Sequence, residues 1–383
     1  MQADSAGLYI HIPFCRRACH YCDFHFSTRL NLQEEMLVAL IREMELRLVD
    51  NPVEIETVYF GGGTPSLLSE DQLCRLLEGI HRHVKIRSNA EISLEANPED
   101  VNPGMVRSWK KSGINRLSMG LQSAQDSRLK WMNRSHSAEE GLRAVKTAQD
   151  GGLENLSADL IFSYPDQGHG ELSEDLEKFL SLQIPHISAY QLTLEPDTVF
   201  GRRLKKGELK PLPDEIASQL FLQVYDTLQA GGLYAYEISN FARPGFEAVH
   251  NRNYWLQKAF IGIGPSAHGY DGGRLRYANP ASNPKYIREI MQGNLCGERE
   301  EMEVSSLANE FILTRLRMRE GLPAGEFRKR FGRDIREFRM AELAKASAMN
   351  WLDNIDDALV LTRQGRLFAD YIAGCLFTDP EDF

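Results

Sequence analysis

The chain has 383 residues, 42% hydrophobic and 26% charged, the composition of an ordinary globular protein with room for one large domain and a smaller one. Its 44 Lys and Arg stand against 54 Asp and Glu, a formal charge of −10, and this acidic balance excludes a broad electrostatic footprint for nucleic acid. No run is apolar enough to cross a bilayer, and the N-terminal MQADSAGLYIHI lacks the basic stretch and apolar core of a secretory signal, so a cytoplasmic location is expected.

Short apolar runs alternate with helix-period segments over more than half of the chain, the pattern of parallel strands joined by helical crossovers. The first strand is expected at Leu8–Ile12. Directly after it, HIPFCRRACHYCDF carries Cys15, Cys19 and Cys22 in a CxxxCxxC spacing. Three thiolates are one short of a closed tetrathiolate site, so whatever binds keeps an open coordination position. Soft thiolate selects an iron–sulfur cluster, zinc or cuprous copper; a zinc knuckle or a set of buried thiols is the alternative.

A helix capped by Asn31 and running through Val49 is expected next, then a strand at Thr57–Phe60. Gly61-Gly62-Gly63-Thr64-Pro65 follows, exposing backbone groups to a close-approaching ligand or simply making a tight turn. Ser69 is placed to cap a helix to His83 and Ser137 one to Asp150. Further strands are expected at Glu91–Glu95, Arg116–Gly120, Leu156–Phe162 and Ile187–Leu192. Six β/α units fall short of eight, which predicts an α/β fold with an open partial (β/α)6 barrel whose binding residues sit at the carboxyl ends of the strands. Glu95, Gln122, Arg134 and Asp159 lie at successive strand ends. One such group is usually a cap; four are able to converge above the sheet.

Near Pro211 the pattern changes, dividing the chain into a barrel domain at 1–210, a barrel-completing linker region at 211–300 and a small, mainly helical C-terminal domain at 301–383. The middle region reads as a helix around Asp214–Ala230, an apolar stretch Leu233–Phe241 and a loop from His250 to Tyr277. The last reads as helices Ser305–Met318, Ala324–Phe331 and Ile335–Asn350 and a strand Ala358–Thr362, with a winged-helix flavour. Arg328, Lys329, Arg330 and Arg333 read as a solvated helix face. Cys74, Cys296 and Cys375 are scattered singly and offer no disulfide framework.

The cysteine triplet behind a strand resembles the radical S-adenosylmethionine (radical SAM) superfamily. Together YIHIPFC, YFGGGTPS, SLEANP, RLSMGLQS, NR and DLIF occur in the order and rough spacing of oxygen-independent coproporphyrinogen III oxidase and its relatives, over nearly the whole chain. The sequence is more similar to the heme chaperone branch, the HemW-like proteins. Phe24 stands where the oxidase pattern has a further cysteine, and HNRNYW, His250 to Trp255, is similar to the chaperone branch's HNxxYW motif. The shared IGIGPSAHGY segment follows it.

The resemblance implies a 4Fe–4S cluster on Cys15, Cys19 and Cys22. It implies S-adenosylmethionine held by Tyr9, Gly62, Gly63, Thr64, Glu95, Gln122, Arg134 and Asp159, with Tyr21 offering a π-face near the adenine. His250 becomes the leading heme-ligand candidate, with His268 behind it, because neutral imidazole is a common axial donor. The implied function is heme delivery to recipient hemoproteins, respiratory membrane enzymes among them. No nucleic acid is implied, and a transient membrane contact and a homodimer are both compatible with it. Oxidative decarboxylation of coproporphyrinogen III is the rival activity, and Phe24 puts it in doubt.

Overall fold

A computed structural model describes residues 5–49 and 53–383; the first four residues of the N-terminal stretch lie outside them. Six strands run parallel in sequence order: β1 (Ser5–Ile12), β2 (Glu54–Gly62), β3 (Lys85–Ala96), β4 (Arg116–Gln122), β5 (Asn155–Phe162) and β6 (His186–Gln191). Strict alternation sends Leu8, Ile10, Val58, Phe60, Leu94, Leu117, Met119, Leu156, Leu160 and Ile187 outward into one core with the crossover helices. The inward row is different. Tyr59, Glu95, Ser118, Gln122, Asp159, Ser188 and Tyr190 face a shared cavity, whereas strands buried in parallel sheets are ordinarily apolar on both faces. A polar inner face is costly to bury without a ligand or partners to satisfy it.

The helices begin where the side chains dictate. Ser69 and Ser137 each form a capping box, with Gln72 and Glu140 respectively. Asn31 does not cap: it lies inside a 3₁₀ turn, Leu30–Leu32, and helix Gln33–Leu48 starts without a side-chain cap. Among the described residues no helix is long and apolar enough to cross a membrane.

The sheet extends beyond the six strands at both edges and does not close. β7 (Tyr234–Ala235) and β8 (Asn240–Ala242), from the expected apolar stretch, continue past β6. The expected loop from His250 to Tyr277 is instead a helix, Val249–Trp255, and three strands, β9 (Phe260–Ile263), β10 (His268–Tyr270) and β11 (Leu275–Ala278). β9 lies parallel to β1, and β12 (Glu298–Glu301) completes that edge. Glycines in FIGI and HGY hide the strand alternation, and the Asp271-Gly272-Gly273 turn reverses the chain between β10 and β11.

Helices Val304–Arg317, Ala324–Phe331, Met340–Ala348 and Ala369–Cys375 surround a second core with a three-stranded antiparallel sheet of β13 (Leu322–Pro323), β14 (Leu352–Ile355) and β15 (Ala358–Leu361). The expected helix Ile335–Asn350 is broken at Arg339, whose guanidinium is drawn to the Phe377 carbonyl at 2.6 Å and Asp382 at 2.9 Å. The basic face is not wholly solvated either. Arg330 donates to Gln257 at 2.7 Å and to Tyr270 at 3.2 Å, tying this unit to the main sheet.

Candidate active site

The cysteine loop is held at both ends. At its base Phe14 bridges Ser27, and Cys15 N–H donates to the Ser27 carbonyl at 3.1 Å. At its tip His20 N–H donates to the Met132 carbonyl, and Asn133 donates to the Ala18 carbonyl at 2.7 Å. The three thiols therefore open onto the upper end of the lumen, where they line a cavity of about 480 Å³ with Gly62, Gly63, Thr64, Glu95, Gln122, Arg134, Asp159 and Tyr21. Among the described residues no three His, Cys, Asp or Glu side chains converge on the position of a single metal ion. Three thiols from one loop suit a cluster, in which each takes a different iron.

Their surroundings also favour thiolate once a cationic centre is present. Thr64 Oγ1 donates to Cys15 Sγ at 3.3 Å and Arg134 Nη1 to Cys19 Sγ at 3.4 Å. In the bare chain burial pushes the Cys15 thiol up to about 11 and the Cys22 thiol up to about 12, so loading iron there releases protons.

The glycine turn is a cradle. Gly62 has φ +109°, a left-handed value that favours glycine. A Cβ on Gly63 would stand 2.7 Å from the Phe14 carbonyl oxygen and 2.9 Å from that of Ile12, so the turn is packed directly under the cysteine loop. Gly62 N–H donates to Glu95 Oε2 at 3.2 Å, and Tyr59 O–H donates to Glu95 Oε1 at 2.7 Å. Burial, reinforced by Asp159, still lifts Glu95 to about 7; Asp159 is lifted to about 6 by burial, with Ser188, Ser118 and Arg134 opposing. Both carboxyls are poised to gain from a cationic or hydroxyl-rich ligand.

Arg134 is fixed by Asn97 Oδ1 and the Gly120 carbonyl, each 2.8 Å away, and stays charged, while its buried Nε has no partner among the described residues. Gln122 sits at φ +67°, bent into the cavity by the turn after β4. Asp175 from helix His169–Ser181 holds that turn, accepting from Ala124 N–H at 2.8 Å and Ser123 Oγ at 3.0 Å. The sequence reading missed Asn97, Tyr59 and Asp175. Asn97 was visible two residues beyond Glu95, but nothing local marks Asp175.

Two expected site residues stand apart from the cavity. Tyr9 lies behind Tyr59, ring centroids 6.1 Å apart, with its hydroxyl on His11 Nδ1 at 3.0 Å. His250, expected as the leading heme ligand, is 2% exposed, and both ring nitrogens are engaged, Nδ1 with Thr57 Oγ1 and Nε2 with Tyr254 O–H, each at 2.8 Å. Burial holds it neutral, at about 3. In this conformation neither nitrogen is presented to iron. His250 belongs to helix Val249–Trp255, which plugs the lumen from below and whose first N–H groups bond Glu91 at 3.0 and 2.9 Å. His268 is the exposed one of the pair.

Comparison with known proteins fits this geometry. The family model described as Radical SAM superfamily matches residues 9–179, and that described as HemN C-terminal domain matches 306–368. The protein named Heme chaperone HemW from Bacillus subtilis is 35% identical over 371 residues, covering 96% of this chain and 97% of its own. The chain belongs to the HemW family of the radical SAM superfamily. The Escherichia coli protein of that name is 36% identical, covering 94% and 95% of the two chains. Among solved structures, coproporphyrinogen III oxidase (HemN) from Escherichia coli superposes with a TM-score of 0.85 at 21% identity, over 98% of this chain and 90% of its own, a likeness of fold.

Membership of the superfamily implies a 4Fe–4S cluster and S-adenosylmethionine, and the donor set fits both. Cys15, Cys19 and Cys22 would hold the cluster, leaving one iron open; the orphaned Arg134 Nε, the two raised carboxyls and the Gly62–Gly63 cradle would hold the cofactor. Together these groups supply one-electron chemistry at a sulfonium when bound. The chain's own residues would orient the cofactor, with helix Val249–Trp255 closing the lumen below it.

Proposed function

We propose that the protein is a cytoplasmic heme chaperone, which keeps a 4Fe–4S cluster and S-adenosylmethionine in the lumen, binds heme at a separate place and passes it to recipient hemoproteins. The reading is carried by likeness along the full chain to relatives named heme chaperone. Phe24 supports it. This side chain stands in the position of the oxidase's additional cysteine, lines the mouth of the cavity and is 67% exposed. For the heme iron we assign His268, whose ring is exposed, in place of His250, whose nitrogens are both occupied.

The test is heme titration followed by transfer to an apo-hemoprotein. Wild type is expected to give a Soret band and to hand heme on; His250→Ala should keep the band and His268→Ala should lose it. Absence of heme binding in the wild type, or formation of protoporphyrinogen IX from coproporphyrinogen III under reducing anaerobic conditions, would overturn the chaperone reading.

A further inference from the structure

The lumen does not end at the cofactor residues. Arg116, the first residue of β4, lines the same cavity as the cysteines. It lies six residues below Gln122, roughly 20 Å along the strand at the usual rise. Arg116 is 2% exposed, yet no carboxylate among the described residues lies within 4.0 Å of it. Its Nη1 donates to Asn155 Oδ1 and, at 3.3 Å, to the Phe246 carbonyl. Nε and Nη2 have no partner among the described residues.

The acids of the lumen are occupied elsewhere. Both oxygens of Glu91 are taken by the backbone of Val249 and His250, Glu95 is held by Tyr59 and Gly62, and Asp159 by Ser118. Asp159 feels the charge of Arg116 without forming an ion pair with it; the other groups about the guanidinium are neutral. Ser157 bonds His186 Nδ1 at 2.7 Å and Ser188 at 3.3 Å, His186 Nε2 bonds Tyr236 at 2.9 Å, and Asn251 faces the same space. Ser93, in register with Arg116 on β3 and on the same face as Glu95, is 1% exposed and lies outside the cavity lining, and its hydroxyl has no partner among the described residues. An arginine that lines a cavity with no carboxylate within ion-pair distance gains from an anion that reaches its Nε and Nη2.

We propose that the lower end of the lumen is a second binding subsite, which takes the carboxylate of a small free organic acid on Arg116, with the Ser157 hydroxyl, which lines the same space, as a neutral donor. The acid is taken to enter on its own; a tetrapyrrole propionate would bring the same carboxylate, and the heme measurement below separates the two sources. The assignment stands on the lumen alone and is independent of heme delivery.

The experiment uses the full chain with sodium propionate as probe, calorimetric titration and thermal unfolding both being run at constant ionic strength against sodium chloride. Wild type binds propionate and unfolds at a higher temperature in it than in chloride. Arg116→Met binds it at least about tenfold more weakly, the loss expected for one charge-assisted contact. Without propionate Arg116→Met unfolds lower, having lost the Asn155 and Phe246 contacts; the mark of the subsite is that its unfolding temperature no longer rises in propionate over chloride, a rise that a purely structural arginine would leave in place. Ser157→Ala, a smaller change, weakens propionate binding a few-fold and serves if the first variant does not fold. Equal action of propionate and chloride on wild type would overturn the subsite, as would wild-type propionate affinity in Arg116→Met. Heme affinity is expected to be the same in Arg116→Met and wild type. A fall would make a tetrapyrrole propionate the source of the carboxylate and overturn the free-acid assignment.

Discussion

His250 stacks on Tyr59, ring centroids 5.0 Å apart and planes 22° from parallel, and Tyr59 in turn holds Glu95. The histidine of the HNRNYW motif thus reaches the cofactor residues through an aromatic ring, from a buried position beneath them.

Replacing His250 by alanine leaves a cavity and strips Thr57 and Tyr254 of their partner. The expected loss is about 2–4 kcal/mol of unfolding free energy, measured by urea denaturation. S-adenosylmethionine affinity falls with it while heme affinity does not. A variant as stable as wild type would show that His250 does not anchor helix Val249–Trp255 beneath the lumen.

Each of Cys15→Ala, Cys19→Ala and Cys22→Ala is expected to abolish the broad brown absorbance of anaerobically reconstituted protein and to lower its iron and sulfide content. Full cluster content in any of the three would take that cysteine out of the ligand set. Cys74→Ala serves as the control, since Cys74 lies near Ser112, far from the loop in sequence and outside the cavity.

Gly63→Ala places a methyl group 2.7 Å from the Phe14 carbonyl oxygen and 2.8 Å from its nitrogen. Backbone cannot give way cheaply there, so the cysteine loop is displaced, at about 1–3 kcal/mol for an overpacked site. Reduced iron incorporation with retained far-UV circular dichroism is the expected result, and normal loading would contradict it.

Glu95 carries a pH signature. Its folded value, about 7, lies above the ordinary 4.5, so its contribution to stability is fully present below about 4.5 and is lost as pH rises through about 7. Without ligand, wild type should therefore lose stability relative to Glu95→Gln between those values. Asp159, raised to about 6, acts in the same direction. S-adenosylmethionine affinity should rise over the same interval as the carboxylate forms, and Glu95→Gln should flatten that rise; a pH-independent affinity in wild type would separate Glu95 from the cofactor.

The sequence by itself determined the six parallel strands, the cysteine loop and the strand positions of Glu95, Gln122 and Asp159; Arg134, expected at a strand end, instead follows helix Asp126–Trp131. Each rests on local chemistry: two-residue alternation, thiol spacing, serine caps with Gln72 or Glu140 three residues on. It also determined the family, because its motifs keep their order along the chain. Tertiary structure alone decided what His250 does. Its neighbours, Thr57 and Tyr59, lie almost 200 residues earlier in the chain, and an imidazole reads the same in sequence whether its nitrogens face iron or two hydroxyls. The same holds for Arg116 and Asp175. Whether a buried charge has found a partner depends on which strands and helices pack together, and no spacing within one segment records that.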